Sequence, residues 1–331
     1  MTALTLFFAG VIVLAIVMYV LMDGFDLGIG ILFPAAADED QRDVMMNTVA
    51  PVWDGNETWL VLGGSVLFGA FPLAYAILLP ALYIPLTVML LALIFRGVAF
   101  EFRHRSGEGR AFWGRAFLSG STIATFAQGA ILGAFIQGFP VVDRAFVGGP
   151  FHWLTPFSVA TGFALVGGYA LLGATWLAMR TEGDLQERAF RWAERAFPVV
   201  LGFIVLVSVW TPFLHPEIRE RWFSWPNLVL LSPVPVLTGG VALAAFWAIR
   251  RRAETLPFLL ALTLFLLSFL GLGISLWPNV VPPSIGLGEA AAAETSQAFL
   301  FAGVAFLLPL VLGYTAYVYW VFRGKVREGY D

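Results

Sequence analysis

The sequence predicts an all-α polytopic membrane protein with nine transmembrane helices, and three observations predict it. Hydrophobic residues make up 59% of the 331-residue chain and charged residues only 12%, whereas soluble domains carry about 25% charged residues. Mean hydropathy is +0.83. Uncharged runs of about 20 residues recur, the length of a membrane helix rather than of a tilted barrel strand.

The spans read in order as about 4–33, 57–77, 79–102, 116–139, 154–179, 197–213, 228–249, 256–277 and 298–321. The first opens on an uncharged run from Leu4 to Leu21 and closes on "LGIGILF". No basic stretch precedes it and no small-residue cleavage site follows, so it reads as a retained helix rather than a signal peptide. The second and third nearly touch, which predicts a tight hairpin with Pro80 at the turn. The remaining six are bounded by charged or proline-bearing stretches. An odd number of spans puts the termini on opposite sides. Of the Lys and Arg residues, only Arg144, Arg219 and Arg221 fall on one side; the rest lie on or near loops 34–56, 97–115, 180–196, 250–255 and the tail. The positive-inside rule makes the arginine-rich face cytoplasmic, with the N-terminus outside and the C-terminus inside.

An offset of 150 residues aligns "YVLMDGFDLG" (19–28) with "YALLGATWLA" (169–178). Tyr19, Leu21 and Leu27 recur as Tyr169, Leu171 and Leu177, while Asp23 and Asp26 become Gly173 and Trp176. Four helices per unit give the first and fifth spans one orientation, as a parallel repeat requires. The predicted organisation is therefore a first four-helix bundle over 1–140 and a second bundle plus a C-terminal extra helix over 141–331.

Several chemistries are excluded. Cysteine is absent, which removes thiolate chemistry, iron–sulfur ligation and C-x-x-C-H haem attachment. A net charge of −3 gives no footing for nucleic acid. The three histidines, His104, His152 and His215, all lie outside apolar spans and read as interfacial, so no metal or haem site is predicted in this chain.

What remains are the charges at membrane depth, where each costs about 2.5–3.5 kcal/mol unless it faces protein or water. Asp23 and Asp26, three residues apart, share one face of the first helix. Asp26 falls roughly 10 Å short of the cytoplasmic end near Phe33, and Arg96 on the third span is expected at a similar depth. Asp54 enters the second span from the same side, with Trp53, Asn56, Glu57 and Glu101 close by in sequence or depth. Structural readings compete here: Asp54 and Glu57 as a capping box, Arg96 with an aspartate as a register-fixing ion pair, and Arg103, His104 and Arg105 as a cytoplasmic anchor. Gln128 and Gln137 read as interhelical hydrogen bonders. Trp176 and Arg180 read as interface markers, and the prolines of 276–299 discourage regular helix. One arginine cannot neutralise two carboxylates fully, so Asp23, Asp26 and Asp54 also read as a hydrated, titratable proton route open to the cytoplasm. A proton-coupled secondary transporter and a purely architectural subunit stay open beside it.

Several stretches carry a further signal: "MDGFDLGIGILFP" (22–34), "NTVAPVWDGNETWLVLGG" (47–64), "FRGVAFEFR" (95–103), "GATWLAMRTEG" (173–183), "WPNVVPPSI" (277–285) and "YTAYVYWVFRGKV" (314–326). Together they resemble subunit II of the cytochrome bd-type quinol oxidases, and the first looks most like the cyanide-insensitive branch. The resemblance implies a bacterial cytoplasmic-membrane complex that oxidises quinol and reduces oxygen to water. It implies haems b and d in a partner, subunit I, with a b-type haem replacing haem d in the cyanide-insensitive branch. Some family members hold a quinone in subunit II, and the complex admits a small single-helix third subunit. The same resemblance implies two four-helix bundles plus one helix, and assigns Asp23, Asp26 and Asp54 to a hydrophilic channel toward the oxygen-reducing haem. Trp53, Arg96 and Glu101 match neighbouring motif positions, Glu101 standing where some relatives have aspartate.

Overall fold

The computed structural model describes residues 1–107 and 109–326, and leaves the side chain of His104, and the expectation placed on it, outside the description. Helix α1 (Ala3–Leu32) starts where the Thr2 side chain accepts from the Thr5 amide. It ends as the chain turns through Phe33–Ala35 around Pro34. Residues 34–56, read from sequence as a plain loop, contain α2 (Glu39–Asn47), capped by the Asp38 carboxylate on the Gln41 amide. Acidic Glu39 and Asp40 in its first turn complement the helix dipole.

The predicted second span is broken. Helix α3 (Trp53–Ala70) stops before Pro72, whose ring cannot continue it, and α4 (Pro72–Ala81) follows. After Leu82 the chain re-enters as α5 (Tyr83–Arg105) and then α6 (Arg110–Gln137). Among the described residues, eight helices are long and apolar enough to cross a membrane; α3 is not among them, and α4 is too short.

The second half opens with a two-stranded hairpin, β1 (Val141–Val142) and β2 (Ala145–Phe146). Thr155 then caps α7 (Pro156–Arg180) in a reciprocal box with Ser158, with Pro156 at the first helical position. Helix α8 (Gly183–Leu214) absorbs residues read from sequence as a loop. At 32 residues it is about 48 Å long, well beyond a hydrocarbon core of about 30 Å, so its Arg188, Arg191 and Arg195 turn extends past the apolar layer. Short α9 (Pro216–Phe223) and α10 (Asn227–Leu231) lead to α11 (Pro233–Arg250) and α12 (Leu256–Leu276). The proline-rich connection holds β3 (Asn279–Val281), β4 (Ile285–Gly286) and α13 (Leu287–Ala290) before α14 (Glu294–Val321). Gly138 ends α6 at φ +81, and a Cβ there would lie 2.5 Å from the Pro282 carbonyl, so this loop closes against α6 only with glycine.

Packing centres on α1, which lies against α3, α6 and α7. The α1–α7 crossing is made on glycine: a Cβ on Gly28 would sit 1.9 Å from the Tyr169 carbonyl oxygen, and one on Gly173 would sit 2.5 Å from the Gly28 carbonyl carbon. Small residues let backbones meet where lipid offers no hydrophobic drive between helices. Beside that crossing, Phe25 stacks on Trp176 with centroids 4.1 Å apart, and Phe258 of α12 meets both rings edge-on. Trp176 is thus a core residue and not an interface marker; it is 5% exposed.

Candidate functional site

The charged side chains of the first half converge between α1, α3 and α5. Asp23 and Asp26 are both fully buried, and so is Arg96. The Arg96 guanidinium donates to Glu57 at 2.9 Å and lies 3.9 Å from Asp23. Of the two aspartates on that face, Asp23 is the one close to Arg96, and Asp26 also lies within its electrostatic range. Trp53 and Phe117 flank the guanidinium with ring centroids at 5.9 and 5.8 Å, a cation–π setting for a desolvated charge.

Asp26 has a different partner. The Asn56 amide nitrogen donates to its carboxylate at 2.7 Å and to the Met22 carbonyl at 3.3 Å, while the Asn56 oxygen accepts from the Tyr319 hydroxyl at 3.0 Å. Tyr319 belongs to α14 and was missed from sequence, where a tyrosine in an aromatic run looks like packing. Among the described residues, Asp26 Oδ1 has no hydrogen-bonding protein partner, and Asp23 has none of ordinary geometry, the Tyr19 hydroxyl lying near enough to interact with it. Buried carboxylate oxygens are rarely left in that condition without water.

Glu57 links this interior to the surface, its side chain being 29% exposed. Asp54, one turn earlier, is exposed and lies in electrostatic range of Glu101, itself exposed, and of Arg96. The capping-box reading of Asp54 and Glu57 does not survive: the N-cap of α3 is Val52 and no side chain caps that end. The structure thus sets Asp54 and Glu101 outermost, Glu57 between, and Asp23 and Asp26 innermost.

A second polar bridge lies beside Asp23. Gln128 on α6 donates to the Tyr19 hydroxyl at 2.7 Å and accepts from the Tyr169 hydroxyl at 3.0 Å. One amide thereby joins the two tyrosines that the sequence offset relates. Gln137 likewise bonds between helices, accepting from Thr155. Both glutamines behave as expected.

At the arginine-rich end, Arg103 is a buried clamp rather than an ordinary surface anchor. It is 1% exposed and donates to Glu39 and Asp43 of α2, with the Phe33 ring 5.1 Å away. Arg110 also donates to Asp43, and Arg42 to Glu39. Partial burial would raise both carboxyls, but it is outweighed: hydrogen bonds and charge from Arg42 and Arg103 hold Glu39 below its ordinary value, and Arg103 and Arg110 do the same for Asp43.

A haem does not fit the described donor set. His215 bonds the Ile136 carbonyl through Nε2 at 3.0 Å, and His152 is exposed on the loop after β2. Among the described residues there is no group of three or more His, Cys, Asp or Glu side chains able to hold a metal.

Comparison with known proteins adds to this geometry. The family model described as cytochrome bd terminal oxidase subunit II matches residues 4–322. The cytochrome bd-I ubiquinol oxidase subunit 2 of Escherichia coli K12 is 29% identical, over 94% of this chain and 92% of its own. The cytochrome bd ubiquinol oxidase subunit 2 of Bacillus subtilis is also 29% identical, over 93% and 92%. A chain of the bd oxidase structure from Geobacillus thermodenitrificans shares the fold with a TM-score of 0.76 at 19% identity, covering 97% of this chain and 99% of that one.

Proposed function

The chain belongs to the cytochrome bd terminal oxidase subunit II family, and on that footing we propose that it conducts protons from the cytoplasm toward the oxygen-reducing centre of its partner. It is subunit II of a membrane quinol oxidase, a multi-pass protein of the bacterial cytoplasmic membrane that stands beside a haem-bearing subunit I. The redox chemistry belongs to that partner, to which the b- and d-type haems and the main quinol site are assigned. This chain alone is not the redox catalyst, and a small third subunit and annular lipid complete its surroundings.

One observation carries the proposal. Two fully buried carboxylates share one buried arginine and lead outward through half-buried Glu57 to exposed Asp54. Oxygen reduction consumes protons, and hydrocarbon does not deliver them. A carboxylate chain with room for water does, taking a proton at Asp54 or Glu57 and passing it inward to Asp23 and Asp26. Charge separation follows when electrons and protons reach the same centre from opposite faces.

The sidedness rests on counting α3 as a ninth span. Its 18 residues extend about 27 Å, close to the hydrocarbon thickness. With α3 included, the N-terminus is outside, the C-terminus is cytoplasmic, and α1 and α7 run parallel as the first helices of two repeated bundles. α1, α3, α5 and α6 form the first, within 1–140. α7, α8, α11 and α12 form the second, with α14 as the extra helix, within 141–331. The shared bonding of Tyr19 and Tyr169 to Gln128 supports that relation.

The test is neutralisation in the intact oxidase. Asp23→Asn, Asp26→Asn and Asp54→Asn are each expected to slow proton uptake coupled to oxygen reduction; unchanged uptake in all three removes the route. An architectural role, favoured by the Arg96 ion pairs that tie α1, α3 and α5, predicts lost assembly with no selective loss of uptake. A transporter predicts a colourless purified chain that accumulates solute, whereas the oxidase reading predicts co-purification with a pigmented haem subunit.

A further inference from the structure

Asp23 and Asp26 lie on one face of α1 yet answer to different helices. Asp23 is near Arg96 of α5, whereas Asp26 is bonded by Asn56 of α3, and Asn56 by Tyr319 of α14. The Asn56 amide has its orientation chosen for it. Its nitrogen faces two acceptors, the Met22 carbonyl and the Asp26 carboxylate, so its oxygen is turned to the Tyr319 hydroxyl, which donates to it. The hydroxyl is fixed in turn, because the Tyr319 ring stands edge-on to Phe25 and Trp176 with both centroids at 6.4 Å. Asn56 and Tyr319 also line a crevice of about 10 Å³ between α3 and α14, together with Val52, Gly55 and Val318. That is the least room one water molecule needs.

The geometry points to Tyr319 as a positioning residue for Asp26, acting through Asn56, whose amide it anchors within bonding distance of the carboxyl. The inference rests on the reading of Asp26 as part of the proton route. It gives the last helix of the chain, which carries no charged residue in its apolar stretch, control over a carboxylate in the first. Without the hydroxyl, the amide oxygen loses its donor and the side chain is free to shift, which lengthens or breaks the N–H bond to Asp26.

The experiment uses the whole oxidase with Tyr319→Phe. The Asp26 carboxyl or carboxylate infrared band is assigned by its disappearance in Asp26→Asn. In Tyr319→Phe that band is expected to shift, and proton uptake to slow about 3- to 10-fold, the effect of one net hydrogen bond. A phenylalanine fills the same aromatic seat, so a role confined to packing leaves the band in place; an unmoved band in an assembled complex overturns the inference. Asn56→Ala combined with Tyr319→Phe is expected to cost no more than Asn56→Ala alone, and full additivity counts against the linkage. If Tyr319→Phe does not assemble, a ring-fluorinated tyrosine at 319 keeps the hydroxyl and strengthens it as a donor. The Asp26 band then moves opposite to the shift expected for phenylalanine, and no movement refutes the contact. Should Asp26→Asn leave uptake unchanged, Asp26 drops out of the proton route, while the band still decides whether Tyr319 acts on Asp26.

Discussion

Replacing Gly28 with alanine tests the central crossing of the fold. The added Cβ would lie 1.9 Å from the Tyr169 carbonyl oxygen, 2.8 Å from its carbonyl carbon and 2.9 Å from the Gly173 nitrogen. All three are backbone atoms, so no side chain can swing away. Real Cβ contacts stay beyond 3.0 Å, and α1 and α7 must therefore separate by about 1 Å at this level. The Gln128 bridge joins the same two helices, at Tyr19 and Tyr169, with bonds of 2.7 and 3.0 Å, and an added ångström falling on either one takes it past hydrogen-bonding range. Overpacking of about 1–3 kcal/mol and one lost buried hydrogen bond of about 1 kcal/mol place the total near 2–4 kcal/mol. The assay is thermal unfolding of the purified oxidase in detergent, with Gly10→Ala as control, since nothing lies within 4 Å of a Cβ there. The control is expected to be neutral or slightly stabilising through helix propensity. A Gly28→Ala complex that melts with wild type would refute the backbone contact.

Other outcomes follow from the same contacts. Glu57→Gln removes the charge that accepts from Arg96 and leaves Asp23 at 3.9 Å as its near acid. With Glu57 partly exposed, a loss of about 1–2 kcal/mol is expected, read as a lowered melting point together with slower proton uptake. The α2 clamp gives a pH dependence. Glu39 and Asp43 have carboxyls held below their ordinary values, so their stabilisation is complete above the unfolded-state values near pH 4 and is lost as pH falls through the lower folded-state ones. Protection factors over 39–47, corrected for the intrinsic pH dependence of amide exchange, are thus expected to stay high at neutral pH and to fall in acid. Arg103→Met is expected to speed exchange in α2 already at pH 7, because it removes the buried donor to both acids.

Hydropathy made the long helices legible, and the price of burying charge singled out Asp23, Asp26 and Arg96 before any contact was visible. Where sequence reasoning stopped is equally physical. Hydropathy counts residues but does not see that Pro72 parts α3 from α4, or that α8 carries its arginines as an extension of a span. A charge pattern indicates that Arg96 needs a carboxylate, not which one, since a single helical turn separates Asp23 from Asp26. Arg103 sits in a basic stretch whose solvated appearance hides α2 folding back over it. Tyr319, Tyr169 and Gln128 escaped notice as site residues for a different reason. Uncharged polar groups in an apolar run cost little enough that their presence signals nothing until their long-range partners are known.

The crossing at Gly28 and Gly173 also bears on how this molecule can move. Two main chains in direct contact form a pivot with no clearance, and the aromatic stack of Phe25 on Trp176 locks it from the side. Rocking one half against the other, as a carrier does to expose its cargo to alternate compartments, would tear that seam open. Such a seam suits a stationary frame, and on the proposed proton route a proton would hop between fixed side chains and solvent molecules, at a pace set by bond rearrangement instead of by helix travel.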